Sequence, residues 1–396
     1  MMHDVPLASV VLDVLRELIR IPSVNPSIAP DEGHGEGVIA SFACDWLNAN
    51  GVRAWIEEAA PDRPNVVADV GSGTPVLVLC AHLDTVGTAG MTIAPFEPTL
   101  KDGRVYGRGS YDMKGSAAAV MTAAAVLAQE RLAGRVIVAL VADEEYASVG
   151  AMDFVRRHPA DACVVTEPAD GRLILAHKGF MWARVTTRGR AAHGSRWDLG
   201  VSAIAKMALV ISALEDFDRT ELRNRIDSLV GPASLHCALI KGGAGLSTYA
   251  PECQLEVERR TLPGEAIADV RRELTEVVRR VSEDATVDCF FDRPPLKCNA
   301  DTPIANSVRR AIEHVTGRLP DDAGVGYWMD AAVFAEAGIP TVNYGPTGGG
   351  AHEVVEWVDL DSVVACARVL IRAAHLFCTR DRGSATPLAR PASEAS

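Results

Sequence analysis

Histidine and carboxylate side chains stand in this sequence where predicted β-strands end or a predicted helix begins. Predicted strands over residues 75–80, 136–142 and 163–166 each run into such residues, and so does a glycine-rich stretch after a strand at 340–344. Because the carboxyl ends of parallel strands share one edge of a sheet, we expect these side chains to meet there. In chain order they are His82, Asp84, Asp112, Asp143, Glu144, Glu145, Glu167 and His352.

The chemistry of such a set is that of a metal centre. Converging carboxylates repel one another and lose hydration, so they either take up protons or bind cations. Imidazoles and carboxylates without thiolates are typical of zinc or a similar divalent metal in a hydrolytic site, whereas structural zinc sites favour cysteine. Asp84, two residues after His82, can accept the second imidazole N–H and fix the tautomer.

Each residue also has an ordinary alternative when it is taken alone. His82 could be a hydrogen-bonded interior histidine, and Asp112 could cap the N-terminus of a helix. Glu144 and Glu145 could be a solvated pair in a loop, and His352 could follow a flexible glycine turn. If each of these alternatives held, only coincidence would bring all of these side chains to one sheet edge. The set as a whole therefore favours a metal centre.

The surrounding pattern predicts an α/β fold with a mostly parallel sheet flanked by helices. Short apolar strands alternate with helical stretches, among them an amphipathic helix over residues 7–21 and an alanine-rich helix over 112–129. Strands with period-two alternation between residues 179 and 292 predict a smaller α+β insert with one exposed sheet face. We therefore expect a catalytic domain in two parts, 1–178 and 293–378, an insert at 179–292, and a disordered tail at 379–396.

Composition excludes several classes of function. Lys and Arg number 39 against 52 Asp and Glu, a net charge of −13, which disfavours nucleic acid and anionic membranes as partners. No apolar stretch approaches the roughly 20 residues that span a bilayer. Nine scattered cysteines without a C-x-x-C pair indicate reduced thiols, so we expect a cytoplasmic protein.

Five segments together resemble a known family, the co-catalytic zinc amidohydrolases and peptidases. That family includes acetylornithine deacetylase, succinyl-diaminopimelate desuccinylase, aminoacylase and glutamate carboxypeptidase. The resemblance extends over about residues 18–376 and keeps the motif order. Its segments are 82–86 (HLDTV), 107–115 (GRGSYDMKG), 143–145 (DEE), 166–168 (TEP), and Gly345-Pro346 followed by His352.

The resemblance implies a site with two divalent metal ions, zinc first, with cobalt or manganese as alternatives. Asp112 would bridge the two ions. His82 and Glu167 would complete one ion's ligand set, and Glu145 and His352 the other's. Glu144 would be the general base, which takes a proton from water and passes it to the leaving nitrogen.

The insert resembles the family's lid and dimerisation domain. His193, in the segment 190–195 (RAAHGS), matches a histidine that reaches into the active site of the partner subunit and stabilises the oxyanion. Arg260 matches an arginine that holds the substrate carboxylate. Asp330 follows Tyr327-Trp328-Met329, where family members contact the amine side, and could meet a cationic group.

The function predicted from the resemblance is a homodimeric hydrolase that removes the acyl group from an N-acyl amino acid, with acetylornithine as the first expected substrate. Two alternatives stay open. A dipeptidase or carboxypeptidase would use the same chemistry on a peptide bond. A binding protein without catalysis would keep the metal-ligand residues but would not hydrolyse a substrate.

Overall fold

The alternation of short apolar strands with helical stretches gives, in the computed structural model, a nine-stranded sheet with helices on both faces. The structure describes residues 6–32 and 34–379. The predicted tail at 379–396 therefore lies, apart from Thr379, outside the described residues. Within those ranges no helix combines the length and the apolar character needed to cross a membrane.

The helices of the described ranges are α1 (Leu7–Arg20), α2 (Gly37–Ala49), α3 (Gly115–Leu127), α4 (Val149–Arg157), α5 (Ala203–Thr220), α6 (Ile267–Val281), α7 (Pro303–Thr316), α8 (Ala331–Glu336) and α9 (Leu360–Cys378). The strands are β1 (Arg53–Ala60), β2 (Arg63–Gly71), β3 (Val76–His82), β4 (Thr99–Lys101), β5 (Arg104–Tyr106), β6 (Arg135–Val141), β7 (Ala162–Val165), β8 (Leu173–His177), β9 (Gly179–Arg188), β10 (Ile226–Asp227), β11 (Gly231–Pro232), β12 (Ser234–Gly242), β13 (Glu252–Thr261), β14 (Thr286–Arg293), β15 (Leu296–Lys297), β16 (Asp322–Val325), β17 (Thr341–Asn343), β18 (Gly348–Gly349) and β19 (Trp357–Asp359).

The large sheet has the strand order β1-β2-β6-β3-β7-β17-β8-β15, and β16 also pairs with β8. Its middle strands β6, β3, β7 and β17 are parallel, whereas β1, β2 and β15 pair antiparallel at the two sides. The predicted α/β fold with a mostly parallel sheet flanked by helices is confirmed. The parallel strands place their carboxyl ends at one edge, as the metal-centre hypothesis requires.

Helices cover both faces of this sheet because the strands are apolar on both sides. One buried layer joins the sheet to α1, α2, α3, α7 and α9, and a second joins it to α4 and α8. The alanine-rich α3 is buried almost all round, since small side chains let it pack closely between neighbours. Helix α1 buries a stripe at helical spacing and ends just before Pro22, which cannot donate a backbone hydrogen bond.

A second, antiparallel sheet has the order β12-β13-β9-β14. Along β9 the odd residues are buried against α5 and α6, and the even residues from Phe180 onwards are more exposed. This is the predicted half-exposed sheet. It is built wholly between Gly179 and Arg293, and the domain boundaries at 179 and 292 stay predictions.

A third, small sheet brings together two chain segments that are far apart in sequence. Strands β18 and β19 pair with β5 and β4, so the glycine-rich segment before His352 lies beside the glycine-rich segment before Asp112.

The predicted helix over residues 112–129 begins later than expected. Helix α3 starts at Gly115, and Asp112 lies in a turn with φ −118° and ψ 94°, outside the helical region. Asp112 is not the N-cap of α3, because Lys114 occupies that position.

Candidate metal centre and catalytic site

Two groups of side chains meet at the carboxyl edge of the parallel strands, and they share Asp112. In one group, Nε2 of His82 lies 3.1 Å from Oδ1 of Asp112 and 3.5 Å from an Oε1 of Glu167. In the other, Nε2 of His352 lies 3.3 Å from Oδ2 of Asp112 and 3.1 Å from Oε2 of Glu145. All five side chains that the resemblance implied as metal ligands are therefore brought together, with each oxygen of Asp112 facing a different histidine.

Strand ends position most of these side chains. His82 is the last residue of β3, and Glu167 follows β7 by two residues. Two segments of the chain approach closely at Gly345, where only glycine fits, because a Cβ there would lie 2.1 Å from the carbonyl oxygen of Glu167. The segment after β17 therefore passes directly against the segment that carries Glu167.

A buried carboxylate, Glu356, positions Asp112. Its Oε1 accepts hydrogen bonds from the backbone N–H groups of Tyr111 and Asp112, at 2.9 and 3.0 Å. Its Oε2 accepts from the N–H of Gly109 at 2.9 Å and from Arg108 Nη1 at 2.6 Å. Because Glu356 sits just before β19, it fixes the Asp112 turn to the segment that carries His352.

Asp84 positions the loop that carries the two glutamates. Its carboxylate accepts backbone hydrogen bonds from Glu144 and Glu145, both at 3.1 Å, and one from Asn25 Nδ2 at 2.8 Å. Nδ1 of His82 lies 2.9 Å from the main-chain oxygen of Asp84 and 3.6 Å from its Oδ1. The main-chain carbonyl, rather than the predicted carboxylate, thus accepts the imidazole N–H, because the carboxylate is committed to the loop.

A buried ionic network lies behind Asp84. Arg63 donates to Glu36 Oε1 at 2.7 Å and to Asn25 Oδ1 at 2.9 Å, and its Nη2 lies 3.3 Å from Asp143 Oδ1. Asp143 has φ 68°, a left-handed conformation that aspartate tolerates better than most residues, and it redirects the chain after β6. The network therefore holds the turn that aims the next two glutamates into the site.

Sequence reasoning missed Glu356, Arg108, Asn25 and Arg63. For Glu356 a signal existed, since it is an acid between apolar residues in the segment 354–358 (VVEWV). A charged residue in such a short apolar segment is buried only with partners.

The electrostatics of the site favour bound cations. Burial raises the pKa of Glu144, Glu145 and Glu167 above the usual carboxyl range, and neighbouring carboxylates raise it further. Burial opposes the fall in the pKa of Asp112, but hydrogen bonds with His352 and His82 outweigh it. Contacts with Asp112 and Glu145 raise the pKa of His352 to about 10, so positive charge is favoured between these groups.

The nitrogen and oxygen atoms that face one another in the site also favour bound cations. Because a carbonyl oxygen only accepts, Nδ1 of His82 carries the proton, and its Nε2 lone pair faces Asp112 and Glu167. A lone pair that faces carboxylates is repelled unless a proton or a metal cation lies between them. Oε1 of Glu145 is buried without a hydrogen-bond partner among the described residues. These residues fit a pair of divalent cations bound by nitrogen and oxygen.

The site opens into a cavity of about 530 Å³ between the large sheet and the antiparallel sheet. Glu144 lines this cavity, as do four of the five candidate ligands. Arg260 also lines it, from β13. Asp330 is 2% exposed and is not a lining residue, and the substrate contact predicted for it stays a prediction.

His193 lies apart from this cavity. It is exposed in the segment before α5, its Nδ1 contacts Ser195 Oγ at 2.8 Å, and it is not a lining residue. The structure of one chain therefore does not bring His193 to its own candidate site, and its predicted role stays a prediction.

Comparison with known proteins shows a family and several similar proteins. Residues 78–376 match the family described as Peptidase family M20/M25/M40. The chain is 30% identical over 334 residues to acetylornithine deacetylase of Myxococcus xanthus, covering 82% of this chain and 87% of that protein. It is 29% identical over 385 residues to acetylornithine deacetylase of Vibrio cholerae, covering 93% and 98%. A tripeptidase from Staphylococcus aureus has the same fold, with TM-score 0.78 at 21% identity, covering 94% of this chain and 99% of that chain.

Replacing Glu356 by glutamine tests how the Asp112 turn is held. The loss of a carboxylate oxygen and its charge should loosen the turn and leave Arg108 without its counter-ion, so Zn²⁺ affinity should fall by about 10- to 100-fold. The affinity is measured by competition with a chelator, and circular dichroism checks the fold. Glu353→Gln, an exposed acid three residues earlier, is the matched control. Equal affinity in both variants would show that Glu356 does not position the ligand.

Proposed function

We propose, since the chain belongs to peptidase family M20/M25/M40, that it is a metal-dependent hydrolase that cleaves the amide bond of an N-acyl amino acid. The observation that carries this proposal is the sharing of Asp112 between two histidine and glutamate groups, with Glu144 beside them in the same cavity. The relatives named acetylornithine deacetylase support the bond type. The products are a carboxylic acid and a free amino acid.

His82, Asp112 and Glu167 would hold one ion, and Asp112, Glu145 and His352 the other. We propose zinc, with cobalt or manganese as alternatives, since nitrogen and oxygen donors suit all three. When bound, a pair of divalent ions activates water at neutral pH and polarises the scissile carbonyl.

Glu144 is proposed as the general base. It lines the cavity, and its backbone N–H is fixed by Asp84 at 3.1 Å, so its side chain extends from a positioned loop. Burial and the nearby Glu167 raise the pKa of Glu144, which makes its carboxylate a better proton acceptor. Glu144 takes a proton from the attacking water and delivers it to the departing nitrogen.

Arg260 is proposed to bind the substrate carboxylate. Its guanidinium lies 5.3 Å from the centre of the Phe180 ring, and Glu258 contacts its Nε. These two contacts orient the planar fork that suits a carboxylate. The substrate is thus held between the metal groups and β13.

We also propose a homodimer formed through the outer edge of the antiparallel sheet. Strand β12 is an edge strand among the described residues, and Leu239 and Ile240 on it are 66% and 59% exposed. An exposed apolar edge strand favours pairing with a second copy of the chain. Because His193 lies outside its own cavity, the partner's site is where it would stabilise the oxyanion.

A cytoplasmic location is proposed from the cysteines. All nine lie within the described residues and are free thiols, five of them buried. Unpaired cysteines are typical of a reducing compartment.

Peptide-bond hydrolysis is the second candidate function, because the matched family is one of peptidases. A panel of N-acetyl, N-succinyl and N-formyl amino acids and of dipeptides, assayed with Zn²⁺ or Co²⁺ and after chelation, separates the two. Chelator-sensitive release of amine from one acyl class is the expected result. Turnover confined to dipeptides would overturn the deacylase proposal. A protein that binds metal without turnover on any of these compounds would support the binding-protein alternative.

The variant Glu144→Gln tests the general base. It should keep both metal ions, because Glu144 is not among the five proposed ligands, and lose about 10²- to 10⁴-fold in kcat. Metal content is measured by mass spectrometry and kcat by amine release, with Glu353→Gln as control. Normal turnover in Glu144→Gln would refute the assigned role.

The dimer is tested by sedimentation of Leu239→Glu. A buried charge on the edge strand should convert the dimer to monomer, whereas Leu319→Glu, at a site 63% exposed and far from β12 in sequence, should leave it unchanged. Mixing Glu144→Gln with His193→Ala then tests the trans role, since only a mixed dimer has one complete site. A monomeric wild type, or no recovery on mixing, would contradict the proposal.

A further inference from the structure

The cavity wall opposite the metal groups is formed by the antiparallel sheet. Across three neighbouring strands, Phe180 on β9 stands in register with Arg260 on β13 and Arg293 on β14. In the next row of the same face, Trp182 stands in register with Phe291. The exposed face of this sheet therefore presents an aromatic centre with a guanidinium on either side.

Aromatic residues are concentrated at this cavity far above their share of the chain. Six of its seventeen lining residues are aromatic, against 5% of the whole sequence. We call four of them the aromatic wall: Phe180, Trp182, Tyr327 and Trp328.

Three rings of the aromatic wall contact one another through Phe180. The ring of Phe180 lies 5.3 Å from that of Trp182 and 6.2 Å, edge to face, from that of Trp328. The indole N–H of Trp328 donates to Pro294 at 3.0 Å. Yet Trp182 and Tyr327 are 37% and 42% exposed, so large apolar faces stay open to the cavity. A fixed, open aromatic surface in a cleft favours a flat apolar ligand group.

The charges on the walls disfavour a cationic substrate. Outside the metal groups and Glu144, the described residues that line the cavity include Arg172, Arg260 and Arg293, but only one acid, Asp170. Asp170 accepts a hydrogen bond from the Tyr111 hydroxyl at 3.0 Å and lies 4.0 Å from Arg172. An ammonium group on a substrate in this cavity would face guanidinium groups, and the acid Asp170 already contacts Tyr111 and Arg172.

Contacts with neighbouring residues orient two of the arginines, Arg293 and Arg260. Arg293 donates to the carbonyl of Ala147 at 2.7 Å and lies 4.4 Å from the ring of Phe291. It thereby connects β14 to the loop that carries Glu144. Arg260, paired with Glu258, is the arginine proposed above to hold the substrate carboxylate.

We infer that the amino acid released by this site carries an aromatic side chain, which packs on the aromatic wall, and not a cationic side chain such as that of ornithine. This inference rests on the proposed deacylase function and specifies its substrate class. The α-carboxylate binds Arg260, the amide faces the metal groups and Glu144, and the ring is buried against Trp182 and Trp328.

The first test compares kcat/KM of the metal-loaded wild type on the N-acetyl derivatives of L-phenylalanine, L-leucine, L-glutamate and L-ornithine. Phenylalanine should exceed ornithine and glutamate by about tenfold or more, since ring packing adds to apolar burial. A preference for ornithine or glutamate would overturn the inference and leave the deacylase function standing. Hydrolysis of none of the four would instead count against the deacylase function.

A binding measurement decides the inference without turnover. The Glu144→Gln variant is titrated with N-acetyl-L-phenylalanine and with N-acetyl-L-ornithine while tryptophan fluorescence is followed. Tighter binding of the phenylalanine compound by about tenfold, with a change in emission, supports the aromatic wall. Equal or weaker binding than the ornithine compound overturns it.

Trp182→Leu tests the wall itself, with Trp55→Leu as the matched control on β1, away from the cavity lining. For Trp182→Leu, kcat/KM on N-acetyl-L-phenylalanine should fall about tenfold, whereas on N-acetyl-L-alanine it should change by less than about threefold. The control should leave the ratio of the two substrates unchanged. An equal fall on both substrates in Trp182→Leu would show a structural role and refute substrate contact.

Discussion

The whole site depends on one carboxylate that must face two histidines at once. Each oxygen of Asp112 is directed at a different imidazole, so its side chain cannot rotate without losing one of the two groups. That geometry is supported by Glu356, which accepts hydrogen bonds from the backbone N–H groups of Gly109, Tyr111 and Asp112. The two groups of candidate ligands are thus coupled through one side chain, and that side chain is held by another buried acid.

Such a concentration of acids is unfavourable unless positive charge compensates it. The chain supplies part of that charge itself, through Arg108 beside Glu356 and Arg63 beside Glu36 and Asp143. Among the described residues no arginine pairs with the candidate ligand carboxylates Asp112, Glu145 and Glu167, and histidine nitrogens face them instead. The interior therefore holds two kinds of acid: those paired with an arginine, which position loops, and those that face histidines, which we propose as cation ligands.

The sequence predicted which side chains meet at this edge because their positions depend on local features, and their role as metal ligands stays a prediction. Strands end where apolar runs end, and a parallel sheet brings those ends together, so His82 and Glu167 could be placed from pattern alone. The supporting residues could not be placed from the sequence pattern, since Glu356 and Arg108 meet only through β-pairing between distant segments. The predicted start of α3 was wrong by three residues: the helix begins at Gly115, and Asp112 lies in a non-helical turn whose backbone N–H binds Glu356. The aromatic wall was not predicted from the sequence either, because its members come from two distant segments, β9 and the segment before α8.

The most direct test of this account is the number of metal ions bound by the wild type and by Asp112→Ala, measured by calorimetric titration with Zn²⁺ and by elemental analysis. Two ions per chain in the wild type, and loss of tight binding at both positions in the variant, are expected because both groups share Asp112. A variant that still binds one ion with wild-type affinity, or a wild type that binds one, would contradict the shared-carboxylate site.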